Sequence, residues 1–202
     1  MNDRLSGYLF FKVILVWLTL SLVGFFWGKN LVSLMTPFYA IVTEAVSTDY
    51  VAAISVEESQ VDSVVLSATT IRAREISPLI KPIAAGKTLQ SSAGVLHTLV
   101  PIVIFLTIVL SWPVKSLKQL LWIVLFSVPS FFCISALTTP IQLLGLIEMA
   151  FQDYAIQNNL DRDPLWVLHL NFLNEGGFRW FLAASFALAC GAISEKMIKN
   201  NH

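Results

Sequence analysis

Apolar residues dominate four stretches of the chain, about Tyr8–Trp27, Gly94–Trp112, Gln119–Leu137 and Gly177–Ile193. Each approaches the roughly 20 residues that a helix needs to cross a bilayer's hydrocarbon core. Aromatic rings prefer the headgroup level. Tyr8, Phe10 and Phe11 mark one edge of span 1, and Phe25, Phe26 and Trp27 mark the other. Pro101 and Pro129 lie inside spans 2 and 3, where each removes a helix hydrogen bond and predicts a kink.

The segments between the spans follow other periods. Leu31, Leu34, Met35, Phe38, Ile41, Val42 and Ala45 recur at three-to-four spacing, which predicts an amphipathic helix bent at Pro37. It reads as a helix lying along the outer membrane surface, with a helix packed on its own domain as the alternative. Val51–Arg74 is rich in β-branched residues and turns at Glu57-Glu58-Ser59-Gln60, predicting a β-hairpin. A hairpin alone is marginal, so it needs something to rest on, and its two edges make it a candidate docking strand. Ile76–Ser92, with Pro78, Pro82, Gly86 and a Ser-Ser pair, reads as a loop re-entering the membrane. After Pro140 an amphipathic stretch carrying Glu148 and Asp153 runs to about Ile156. A polar turn at Asn158–Pro164 and an apolar Leu165–Leu173 precede span 4, and Glu195–His202 is a polar tail.

This pattern predicts an all-α membrane protein of four transmembrane helices with a small extracytoplasmic α+β segment, a helix plus a β-hairpin. Span 1 takes 1–28, the outer loop 29–93, and spans 2–4 occupy 94–202 with a second outer loop at 138–176. Composition agrees. Of 202 residues, 56% are hydrophobic and 13% charged, against about 25% charged in soluble domains. Val13–Trp27 ends in bulky residues rather than a small-x-small cleavage pattern, so it reads as an uncleaved anchor. Net charge is zero and no basic block appears, which argues against nucleic acid as a partner. No spacing suggests a metal site, and no cofactor motif is present.

Charge sets the expected orientation. Arg4, Lys12, Lys115, Lys118, Lys196 and Lys199 fall on one side with only Asp3 and Glu195 as acids. The positive-inside rule makes that side cytoplasmic, with both termini inside. The other side holds both long loops and the remaining eleven acids, Glu148 and Glu175 among them. The implied location is a membrane, with lipid and another integral membrane protein as partners.

The candidate chemistry gathers at the mouth of span 4. Glu175 and Arg179 stand four apart in the favourable acid-first order for a helix pair. Gly176 and Gly177 would admit a close approach, and Trp180 suits the interface. Together these five residues form a candidate site for a partner helix or an anion, with Arg179 as the fork. The bland reading is a helix start with a snorkelling arginine. An enzymatic alternative places a thiol site at Cys133 with His97 or His169 and Arg179. Phe131, Phe132 and Ile134 make that setting apolar, whereas a thiolate needs an electropositive one. Cys190 lies near the opposite end of span 4. No acid or histidine sits mid-span and no inverted repeat is evident, which argues against a pump or coupled transporter. A small transporter or channel subunit, which would need a polar cavity between spans, is the second alternative.

The order of parts resembles the small four-span membrane protein family found alongside exosortase H in Gram-negative bacteria. The carrying features are the first span ending Phe25-Phe26-Trp27, the outer hairpin, Ser77-Pro78-Leu79-Ile80 before span 2, and Phe172-Leu173-Asn174-Glu175-Gly176-Gly177-Phe178-Arg179-Trp180 leading into span 4. The family usually has Asn-Pro-Leu and a shorter loop before span 2. The resemblance implies an accessory protein of a protein-sorting system in a bacterial inner membrane, with an exosortase as the implied partner, and assigns no catalytic residues. The expected role is non-enzymatic binding or scaffolding of another membrane protein.

Overall fold

Residues 2–46 form one uninterrupted helix, α1 (Asn2–Val46), in the computed structural model, which describes residues 2–58, 61–74 and 82–199. At 1.5 Å per residue it is about 67 Å long, twice the thickness of a hydrocarbon core. The surface helix expected at Leu31–Val46 is therefore not a separate element. It continues span 1 and packs on its own domain. Gly28 does not break it, since one glycine costs a helix only about 1 kcal/mol. Gly28 instead gives α1 a close approach to its neighbour. A Cβ there would meet Leu99 at 2.8 Å. Pro37 leaves the Ser33 carbonyl without its helical donor. The Thr36 hydroxyl donates to that carbonyl at 2.9 Å, so the helix passes through.

Three antiparallel strands follow, β1 (Tyr50–Glu57), β2 (Ser63–Thr70) and β3 (Thr88–Gly94), in the order β1-β2-β3. The expected hairpin is there, in the register Val51↔Thr69 through Glu57↔Ser63. Its centre is buried, with Val64, Leu66 and Ala68 fully covered. The expected loop before span 2 is corrected from residue 88 onward: Thr88–Gly94 pairs with β2 along its length. Thr-Leu-Gln-Ser-Ser-Ala-Gly has little intrinsic strand preference. Its conformation comes from the β2 partner and from Ser91, whose hydroxyl donates to the Leu143 carbonyl at 2.7 Å. The Ser77-Pro78-Leu79-Ile80 step lies outside the described residues. Nor does the hairpin present two free edges. One is paired to β3, and on the other the Ala52 N–H donates to Glu44 at 3.0 Å.

The helices α2 (Val95–Ser111), α3 (Leu117–Gln157), α4 (Trp166–Leu173) and α5 (Arg179–Lys199) complete the fold, with a single π-helical turn, Asn174–Phe178, between the last two. Like α1, α3 fuses two expected elements, the third span and the stretch after Pro140. Two hydrophobic cores result. Ile102, Phe105, Ile134, Ala183 and Ala187 join α2, α3 and α5 in one. The other joins the sheet to the far halves of α1 and α3 through Val32, Tyr39, Leu66, Leu143 and Phe151.

Among the described residues three helical segments, Gly7–Val46, Leu117–Gln157 and Trp166–Lys199, are long and apolar enough to cross a membrane. The 17-residue α2 lies at the short end of the spanning range. The molecule is thus mostly helical, with membrane-type helices and a small three-stranded sheet.

Candidate functional site

The corner marked by the sequence is a real convergence of three elements. Glu175 lies in the π-helical turn, Arg179 opens α5, and His97 sits in the first turn of α2. One terminal nitrogen of Arg179 meets Nε2 of His97, and the other lies 3.2 Å from Nδ1. A neutral imidazole has one acceptor nitrogen, so only one of these contacts is a hydrogen bond. Glu175 Oε1 lies 3.4 Å from His97 Nε2 and accepts from Gln142 Nε2 of α3 at 2.9 Å. Arg179 itself is buried, with its guanidinium 5.7 Å from the Trp180 ring centre and its Nε without a partner.

Glu175 and Arg179 are not the regular helix pair expected. Their closest nitrogen–oxygen distance is 3.9 Å. The cause is Gly177, whose φ of 99° interrupts the helix between them. Such a φ is the left-handed region that glycine enters without steric cost, so this residue is required for the turn. Gly176 is different, since a Cβ there would meet open space. Isolated π turns occur often at functional sites, and here the turn directs Glu175 outward while Arg179 points in. Asn174, beside it, is buried and donates to the Leu137 carbonyl at 3.1 Å. Asn171 is buried against Gly145 of α3, where any Cβ would overlap it.

Cys133 is an exposed free cysteine with no hydrogen bond among the described residues, while His97 meets Arg179 and Glu175. His169 is exposed on α4. Cys190 is buried, 3.3 Å from the Ser130 hydroxyl. An apolar maleimide applied in detergent should therefore add one label, at Cys133, with Cys190 reacting only after unfolding. Intact mass measurement checks this, and labelling of Cys190 in the folded protein would contradict the packing. Among the described residues no group of acids, histidines or cysteines is placed to hold a metal ion.

A second polar cluster, which sequence reasoning missed, ties the sheet to the long helices. Glu148 of α3 is buried between two arginines. Arg74, just after β2, donates to Oε2 at 2.7 Å. Arg162, in the loop after α3, donates to Oε1 and also reaches Gln152 at 3.3 Å. Both guanidiniums sit over Phe151, at 5.3 and 5.5 Å from its ring centre, within cation–π range. Arg74 also bonds the Tyr50 hydroxyl. Burial pulls the Arg74 guanidinium below its ordinary value, opposed by the charges of Glu148 and Asp49. The available signal was Glu148 itself, an acid inside the apolar run Leu143–Phe151.

No protein-family model, curated protein or solved structure matches this chain. Function must therefore be argued from the geometry.

Proposed function

We propose that this chain is a non-enzymatic accessory protein of a membrane, one that binds or scaffolds another integral membrane protein. The observation that carries the reading is the continuity of α1 and α3. Each runs from the apolar zone into the sheet domain as one continuous helix, which favours a fixed placement of the sheet against the bundle. Rigid presentation of a surface suits docking, because little ordering entropy is lost on binding. The His97–Glu175–Arg179 corner is the contact point this reading favours, with Trp180 and the turn around Gly176–Gly177 beside it. A thiol enzyme is the weaker reading, because no hydrogen bond among the described residues links Cys133 to His97 or Arg179, and His97 is engaged by Arg179 and Glu175.

The topology that goes with this proposal has four spans, α2 being the short one, with both termini cytoplasmic in a bacterial inner membrane. Lys115, Lys118 and Lys199 line one cavity at the end of the bundle where α2 joins α3. That clustering supports a shared cytoplasmic side under the positive-inside rule. The resemblance to the exosortase-associated family narrows the partner to a protein-sorting enzyme of the same membrane.

Arg179→Ala tests the contact point. Arg179 donates a charge-assisted hydrogen bond to His97, and removing that bond should disturb the corner enough to lower recovery about tenfold. Tagged protein is recovered in mild detergent and its partners are quantified by mass spectrometry, with Lys118→Ala as the control. Unchanged recovery with Arg179→Ala would sink the assignment of this corner as the docking site.

A further inference from the structure

A groove runs down the outside of the bundle between α1 and α2. Its apolar part, lined by Trp17, Ser21, Gly24, Leu99, Val103 and Ile104, is a half-open depression with about 740 Å³ of non-protein space, the open side included. It opens into a wider mouth bounded by Phe26, Lys29, Asn30, Asp62 and Leu96, with about 1250 Å³ of non-protein space when its open side is included. Gly24, Phe25 and Leu96 line both parts, so the two are one continuous amphipathic slot. From Lys29 to Trp17 along α1 is about 18 Å, a little over half of a roughly 30 Å hydrocarbon core. The slot is therefore one leaflet deep.

The chemistry of the mouth is of both signs. Lys29 offers an ammonium and Asn30 an amide at the headgroup end of the apolar wall. Lys29 pairs with Glu58, whose side chain is 73% exposed. Exposed pairs of this kind are weak, so a phosphate can displace it. Asp62 is half-buried, and its backbone carbonyl accepts from Val95 N at 2.9 Å, fixing it at the start of α2. Its carboxylate makes no ion pair among the described residues. A purely anionic headgroup would meet Asp62 and Glu58 together. A headgroup with a phosphate followed by a primary ammonium matches both signs.

We propose that this groove is a binding site for one phospholipid of the phosphatidylethanolamine type. The phosphate lies on Lys29 and Asn30, the ammonium donates to Asp62, and an acyl chain fills the slot past Gly24 to Trp17. Charge-assisted hydrogen bonds to phosphate and carboxylate are the strong ones. A quaternary ammonium has no N–H to donate to Asp62, which separates this headgroup from phosphatidylcholine. The site rests on reading the apolar helices as membrane spans but not on any docking partner.

The test uses the full chain, purified in detergent, stripped of lipid and offered equal amounts of phosphatidylethanolamine, phosphatidylglycerol and phosphatidylcholine with the same acyl chains. Native mass spectrometry reads what stays bound. The expected result is one phosphatidylethanolamine per chain, held in preference to the other two. Lys29→Ala should lower its retention about tenfold. Asp62→Asn should erase the preference over phosphatidylglycerol while keeping a lipid bound. Val103→Trp should fill the slot and lower retention of all three, while leaving the thermal midpoint close to that of the parent chain. Equal retention of the three lipids, retention indifferent to Lys29→Ala, or a lipid-free dimer occupying the groove would each overturn the site. Release of the chain from membranes by high salt or alkali without detergent would instead overturn the membrane reading on which it rests.

Discussion

Replacing Glu148 by Ala should unfold the sheet domain from the bundle more readily than any other single change in the molecule. The carboxylate is 4% exposed and sits between two guanidiniums that are themselves 11% and 6% exposed. Without it, two largely buried positive charges remain without their carboxylate. Breaking a buried ion pair in this way costs about 3–5 kcal/mol. The thermal midpoint in detergent, followed by circular dichroism, should fall on the order of 10 °C. Glu148→Gln should recover little of this, because the amide keeps the shape but not the charge. The triple change Arg74→Met, Glu148→Leu and Arg162→Met should recover much of it, since an apolar replacement removes every unpaired charge at once. A single variant as stable as the parent chain, or a triple variant no better than Glu148→Ala, would show that the arginines are not held by this carboxylate.

Gly191→Leu is the second large effect. Gly191 of α5 lies directly beneath the Trp112 indole at the end of α2, so any Cβ would overlap the ring. Either the tryptophan leaves its place or α5 moves away from α2. Overpacking of this kind costs about 1–3 kcal/mol. It acts at the end of the bundle remote from the sheet, so it should lower the thermal midpoint without disturbing the Arg74–Glu148–Arg162 cluster. A red shift of tryptophan emission would accompany the loss of the indole from its buried seat. Gly7→Ala serves as the control, because a Cβ there meets nothing within 4 Å. Equal midpoints for the two variants would contradict the close packing of α2 on α5.

Much of the architecture was legible in the sequence because it depends on local pattern. Long apolar runs announce helices suited to a bilayer, and β-branched alternation announces β1 and β2. What stayed hidden was settled between segments distant in the chain. Nothing local to Gly28-Lys29-Asn30 tells a reader that the helix continues, because the reason is packing against Leu99 some seventy residues later. Nothing in Thr88–Gly94 announces a strand, because β2 makes it one. The candidate corner was half legible. Glu175 and Arg179 could be marked, but Gln142 on α3 could not, and a regular helix pair was the natural expectation across Gly177.

Sequence alone determined that the chain carries long apolar runs, that its charges fall between and beside those runs, and that Glu175–Arg179 is a charged approach to the last helix. These are properties of composition and short-range periodicity, which survive without knowledge of neighbours. Only the tertiary structure decided what the polar residues do. It seated Glu148 between Arg74 and Arg162, brought His97 rather than Cys133 to Arg179, and left a slot beside Lys29 and Asp62. Each depends on which side chains meet across helices, and burial then makes that choice costly to undo. The Glu175–Arg179 stretch accordingly has a definite geometry, an outward acid and an inward cation separated by a turn that Gly177 makes possible.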